Sequence, residues 1–154
     1  MPVDFVKKVF HFDSPTEKYH ADACVVSCFD ARFELATRKF MKKRGVLMAD
    51  PLKIAGGAKV FASPADESAR IFALNQVQTS MRLHGTNLVL LMVHSDCSAY
   101  GGLAAFDRDQ EREAIHHESE LRRAGDYLGR NIPSIEINCY FLRFTGVWAV
   151  EALD

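Results

Sequence analysis

The chain of 154 residues has almost no surplus charge, few cysteines and no long apolar run. Its 19 Lys and Arg stand against 20 Asp and Glu, which leaves a formal net charge of −1. That balance lacks the electrostatic footprint of a nucleic-acid or anionic-membrane binder. The strongest apolar run, residues 88–93, is far short of the roughly 20 residues that cross a bilayer. The N-terminal stretch carries no leader-like apolar segment either, so no membrane association is expected. The four cysteines, Cys24, Cys28, Cys97 and Cys139, are too few and too unevenly spread for a secreted disulfide framework. A reducing cytoplasm is the expected location and a small molecule the expected partner.

The length suits a single domain over residues 1–154, large enough to bury a core without disulfide or metal staples. Residues 1–20 mix charges and aromatics and predict an N-terminal extension that packs on something other than its own core. Residues 21–28 read as a buried strand, and residues 31–43 place Phe33, Ala36 and Phe40 at helical spacing, with Gly45 as the stop. A short strand is expected at 51–55, followed by Gly56-Gly57, where backbone must pass close to something. Ser63 and Pro64 predict a helix start, with Ala69, Phe72, Ala73, Val77 and Met81 as the buried stripe up to Gly85.

Residues 87–93 show no alternation, as expected for a central parallel strand covered on both faces. A charged helix is predicted over 108–128, with Ala114, Leu121, Ala124 and Leu128 inward and Arg112, Glu113, Glu120 and Arg123 outward. Residues 135–144 and 147–153, joined at Thr145-Gly146, read as a strand pair whose last member runs antiparallel. Strands alternating with helices predict an α/β fold, a mostly parallel sheet with helices on both faces.

Two motifs follow strand ends: Cys28-Phe-Asp30-Ala-Arg32 and His94-Ser-Asp-Cys97. Open α/β sheets gather ligands at the carboxyl ends of strands, so neighbouring strands would bring Cys28 against the His94/Cys97 pair. Cys28, His94 and Cys97 make a Cys2His set that leaves the fourth tetrahedral position of Zn2+ open. Two thiolates favour zinc over hard cations. A buried cysteine is more often a small hydrophobe, and Cys24 and Cys139, inside apolar strands, are assigned that way. Asp30 and Arg32 lie two apart, close enough for a bidentate carboxylate–guanidinium pair. Asp30 would orient a zinc-bound water and Arg32 would keep Asp30 ionised.

With these residues the chain resembles the β-class carbonic anhydrases. The resemblance rests on the two motifs and on residues 49–56 (ADPLKIAG), where that family has a D…RNAG segment, and it covers residues 21–153 in order. It implies zinc on Cys28, His94 and Cys97, with Asp30 and Arg32 as the catalytic dyad. It further implies reversible hydration of carbon dioxide to bicarbonate by a zinc-bound hydroxide. In some members the Asp closes the zinc sphere, which gives Asp30 a second role as fourth ligand. The family also implies strand order 2-1-3-4 with an added antiparallel strand, and a homodimer or higher homo-oligomer paired through the N-terminal segment and the sheet edge.

The chain departs from the family pattern at Ser98 for Gly, Ala31 for Ser and Lys53-Ile54 for Arg-Asn, none of them a metal ligand. Alternatives are a zinc hydrolase of carbonyl sulfide or carbon disulfide, a non-catalytic zinc-binding or regulatory homologue, and a redox dithiol of Cys28 and Cys97. No CxxC supports the last. His116, His117 and His84 are weak proton-transfer candidates, the first two expected to face solvent. Asp96 reads as an anchor beside the ligands and Tyr100 as a packing residue.

Overall fold

The computed structural model describes residues 6–151. Five strands, β1 (Ala23–Ser27), β2 (Ala49–Lys53), β3 (Leu88–His94), β4 (Glu136–Arg143) and β5 (Gly146–Val150), form one sheet of order β2-β1-β3-β4-β5. The first four are mutually parallel, and β5 returns antiparallel to β4, pairing Phe141 with Trp148. The expected α/β class, strand order and antiparallel C-terminal strand are all present. The last positions of the predicted final strand, 152–154, and residues 1–5 of the N-terminal extension lie outside the described residues.

Alternate residues along each inner strand enter opposite layers, the period-2 consequence of the pleat. Val89, Leu91 and Val93 face α2 (Lys59–Ala62), α3 (Glu67–His84) and α4 (Gln110–Asn131), whose Phe61, Ala73, Val77, Leu121, Ala124 and Leu128 complete the larger core. Leu88, Leu90 and Met92 face the other way, against Phe33, Phe40 and Met41 at and within α1 (Glu34–Arg44). Every residue of β3 is buried, which explains its uninterrupted apolar sequence. Pro51 is tolerated because β2 is an edge strand that pairs with β1 alone and needs no second ladder.

Gly45 and Gly85 close α1 and α3 in left-handed conformation, as their positions predicted. Four expectations differ. The second strand begins at Ala49, two residues before the predicted start. Ser63 ends the short helix α2, and α3 starts instead at Glu67, where the Asp66 carboxylate accepts from the Ala69 N–H at 2.9 Å; a charged cap satisfies an end amide that a hydroxyl three residues before the cap cannot reach. Phe72 is 63% exposed while Ser80 takes an inward position, its hydroxyl bonded to Asp50 at 2.7 Å. Glu113 and Glu120, placed on the solvent face by residue type, are 1% and 2% exposed, and His117 is fully buried. Each glutamate has a polar partner inside, Ser95 and Ser63 respectively.

Candidate metal centre

β1 and β3 are adjacent and parallel, so their carboxyl ends open on the same sheet edge. Cys28 follows the last residue of β1, and His94 is the last residue of β3. The loop after β2 crosses between them: the Ala58 N–H donates to the Met92 carbonyl at 3.0 Å, and the Ile54 N–H to that of Ser27 at 2.9 Å. A Cβ on Gly57 would fall 2.3 Å from Met92 O and 3.0 Å from Cys28 N, and its φ is +58°. Both facts restrict this position to glycine. The neighbouring Gly56 N–H then donates to Cys28 Sγ at 3.3 Å, fixing the sulfur's direction.

The ligand atoms of Cys28, His94 and Cys97 lie within 4.8 Å of one another and could hold a metal ion. The two sulfurs are 3.9 Å apart and both thiols are free. His94 Nδ1 lies 2.7 Å from the Ser95 carbonyl oxygen. A carbonyl only accepts, so Nδ1 carries the proton and Nε2 presents its lone pair. That Nε2 is buried with no hydrogen-bond partner among the described residues. A buried, unpaired acceptor facing two thiols is costly unless something binds it, and a metal cation is a group that could. Burial pushes the Cys97 thiol up to about 11, but a coordinating cation would expel that proton outright.

Asp30 and Arg32 form the expected pair. Arg32 Nη2 donates to Asp30 Oδ2 at 2.7 Å, Nε to Oδ1 at 3.0 Å, and the Arg32 backbone N–H to Oδ1 at 3.0 Å. The guanidinium bonds hold the Asp30 carboxyl down at about 2, and Asp30 with Asp96 raises Arg32 in turn. Asp30 Oδ2 also stands 3.7 Å from His94 Nε2. The structure therefore brings all five residues of the two motifs together.

Sequence reasoning missed the other half of the Arg32 clamp. Arg32 Nη1 donates to Asp96 Oδ2 and Nη2 to the Asp96 carbonyl, each at 3.1 Å, so the guanidinium is held between two loops. Asp96 is the centre of the HxxC motif, and its adjacency to both ligands was the available signal. The substituted positions stay clear of the ligands: Ser98 is exposed, Ile54 packs on the larger core, and Lys53 pairs with Glu34. A small cavity of about 10 Å³ beside Cys28, Asp30 and His94 is lined by the apolar Phe33, Met92, Val93 and Leu142 and by Ser27, Glu34 and Thr37. Among the histidines, His84 bonds Asp50 at 2.6 Å, and His117 packs edge-on to Tyr100 and Phe141.

Comparison with known proteins gives the family and the fold. Residues 18–153 match the profile of the family described as "Putative carbonic anhydrase". The fold is similar to carbonic anhydrase from Streptococcus mutans, at 18% identity and TM-score 0.59, covering 87% of this chain and 84% of that one. It is similar to a tetrameric β-carbonic anhydrase of Sordaria macrospora, at 12% identity and TM-score 0.59, covering 86% and 81%. A carbon disulfide hydrolase shares the fold at 16% identity and TM-score 0.51, covering 88% and 81%. With its motifs, sheet order and profile match over residues 18–153, the chain belongs to this carbonic anhydrase family.

Proposed function

We propose that Cys28, His94 and Cys97 bind zinc and that the protein catalyses the reversible hydration of carbon dioxide to bicarbonate. The observation that carries this reading is the unpartnered, buried Nε2 of His94 facing two thiols beside an ionised Asp30. Two thiolates each about 2.3 Å from a tetrahedral zinc stand about 3.8 Å apart, close to the 3.9 Å between Cys28 Sγ and Cys97 Sγ. Three protein ligands would leave a bound zinc one open position, and the chemistry it would supply there is activation of water at neutral pH.

The remaining work falls to the chain itself. Asp30 accepts a proton bond at the edge of the ligand set and so orients whatever donates there; Arg32 keeps it anionic and holds it in place. Phe33, Met92, Val93 and Leu142 give the adjoining space an apolar wall opposite the polar Ser27, Glu34 and Thr37, and that wall suits a small uncharged substrate. That apolar wall and the fold shared with a carbon disulfide hydrolase also make carbonyl sulfide and carbon disulfide the substrates to try next. Asp30 acts as a dyad member in this reading; its turn toward Arg32, away from a role as fourth ligand, supports that choice.

Metal content together with stopped-flow hydration of carbon dioxide tests the proposal. Wild-type protein should carry one zinc per chain and hydrate above the buffer rate at alkaline pH. Cys28→Ala should lose both metal and rate, while Asp30→Ala should keep zinc and lose rate. A zinc-loaded wild type at the buffer rate, active instead on carbon disulfide, would transfer the assignment to the sulfur substrate; activity on neither would leave a zinc-binding domain without this chemistry.

A further inference from the structure

Glu113 lies in the first turn of α4, on another element from every residue of the two motifs, and is 1% exposed. Buried carboxylates are costly unless each oxygen is used. Here both are: Ser95 Oγ donates to Oε1 at 2.5 Å, and the Asp96 backbone N–H donates to Oε2 at 2.8 Å. Ser95 and Asp96 are the two residues between His94 and Cys97. His117 Nε2 lies 4.0 Å from Oε2.

Asp96 is held in a left-handed backbone conformation, φ +55°, a region that Asp enters where its short polar side chain and backbone find local hydrogen bonds. Its surroundings impose that geometry from four sides. Glu113 takes its N–H, Arg32 takes its carbonyl and one carboxylate oxygen, and the Leu103 N–H donates to the other oxygen at 2.8 Å. The left-handed turn is what lets the amide point down to α4 while the carbonyl and carboxylate point up to Arg32.

We infer that Glu113 is a positioning residue for the metal centre: its carboxylate pins the Ser95-Asp96 segment, and so sets the spacing of His94 and Cys97 and the seat of Arg32. The chain of contacts runs from Glu113 to Asp96, from Asp96 to Arg32, and from Arg32 to Asp30. This rests on the zinc reading above, and it adds a residue that neither motif contains. Its role does not require any change of protonation. Partners that orient metal ligands in this way typically change metal affinity by 10- to 100-fold when removed.

The test uses the full-length chain in wild-type form and as Glu113→Leu, Glu113→Gln and Glu120→Leu. Two quantities are read: amide hydrogen exchange at Asp96 without metal, and zinc affinity by chelator competition with the visible spectrum of the cobalt(II) form. Glu113→Leu should speed Asp96 exchange at least about tenfold, weaken zinc about tenfold or more and shift the cobalt bands. Glu113→Gln should restore all three, because its carbonyl can accept from Asp96 while its NH2 donates to the rotatable Ser95 hydroxyl. Glu120→Leu removes an equally buried glutamate, bonded to Ser63, and should leave the centre as in wild type whatever it does to stability.

Wild-type exchange and affinity in Glu113→Leu, or an equal loss in Glu120→Leu, would overturn the inference. If Glu113→Leu does not fold, Ser95→Ala decides. Ser95→Ala removes one bond and should weaken zinc about threefold, on the order of one lost hydrogen bond; an unchanged affinity counts against the inference. A wild type that takes up no zinc defeats the proposed function, while Asp96 exchange still decides for or against the Glu113 anchor.

Discussion

Single residues at this centre are constrained by geometry more tightly than by type. Arg32 shows this best. Its planar fork reaches Asp30 and Asp96 at once, with Nη2 shared between the two at 2.7 and 3.1 Å. An ammonium cannot reproduce two divergent bonds of that kind. Arg32→Lys should therefore keep the metal and the fold but lose at least about tenfold in hydration rate, the scale of a misplaced orienting group. Steady-state hydration alongside metal analysis checks it, and a rate equal to wild type would remove Arg32 from the mechanism. The two motifs were legible in the sequence because each lies at the carboxyl end of an apolar strand. Asp96 was legible only as a neighbour of the ligands; its partnership with Arg32 depends on two loops meeting, which no local spacing encodes.

At the level of elements, α4 carries the clearest lesson. The helical period that turns Leu121, Ala124 and Leu128 inward also turns Glu113, His117 and Glu120 inward. The pattern held that information, but charge argued for the outer face and the argument from residue type won. What reversed it was tertiary: Ser63, Ser95 and the Asp96 amide supply partners that make burial affordable for the two glutamates. His117 has no such partner at either ring nitrogen among the described residues. Burial, with His116 and His94 nearby, lowers its pKa to about 4, below the ordinary value of about 6.5.

The sign of the resulting pH dependence follows from linkage. Above pH 6.5 the imidazole is neutral in both folded and unfolded chains; between about 6.5 and 4 only the unfolded chain binds the proton, so stability falls as pH falls. Glu113, His116, His94 and Tyr100 are polar groups near it. His117→Phe keeps the ring and removes the titration. Relative to wild type it should gain about 2 kcal/mol of stability on going from pH 7.5 to pH 5, read from urea unfolding at each pH. Parallel pH profiles in the two proteins would contradict this account of His117. For the sheet itself the sequence reading was close, since the unbroken apolar run of β3 and the antiparallel β4–β5 return are local patterns. Helix starts were less legible: Ser63 with Pro64 read as the cap, whereas Asp66 three residues on caps α3.

For the whole molecule, the N-terminal segment is the part its own fold does not account for. Val6, Val9, Phe10 and Phe12 are 91%, 90%, 79% and 72% exposed, and contiguous apolar exposure of this kind marks an interaction site. Among the described residues no helix is long and apolar enough to cross a membrane. A second copy of the chain is the proposed cover, the homo-oligomer expected from the sequence. Sedimentation should give wild-type protein at a multiple of 17.3 kDa. The combined change of Val9, Phe10 and Phe12 to Ser should shift it toward the single chain. A wild type that sediments as one chain at every concentration would refute the assembly.

The central claim is a zinc ion held by Cys28, His94 and Cys97 with one position left for water, and X-ray absorption at the zinc edge tests it most directly. The account predicts two sulfurs at about 2.3 Å and two lighter atoms at about 2.0–2.2 Å. Mutation of His94 to Ala should remove or rearrange the lighter shell while the sulfurs persist. A zinc shell with no sulfur, or one unchanged by loss of Cys28 or His94, would contradict it.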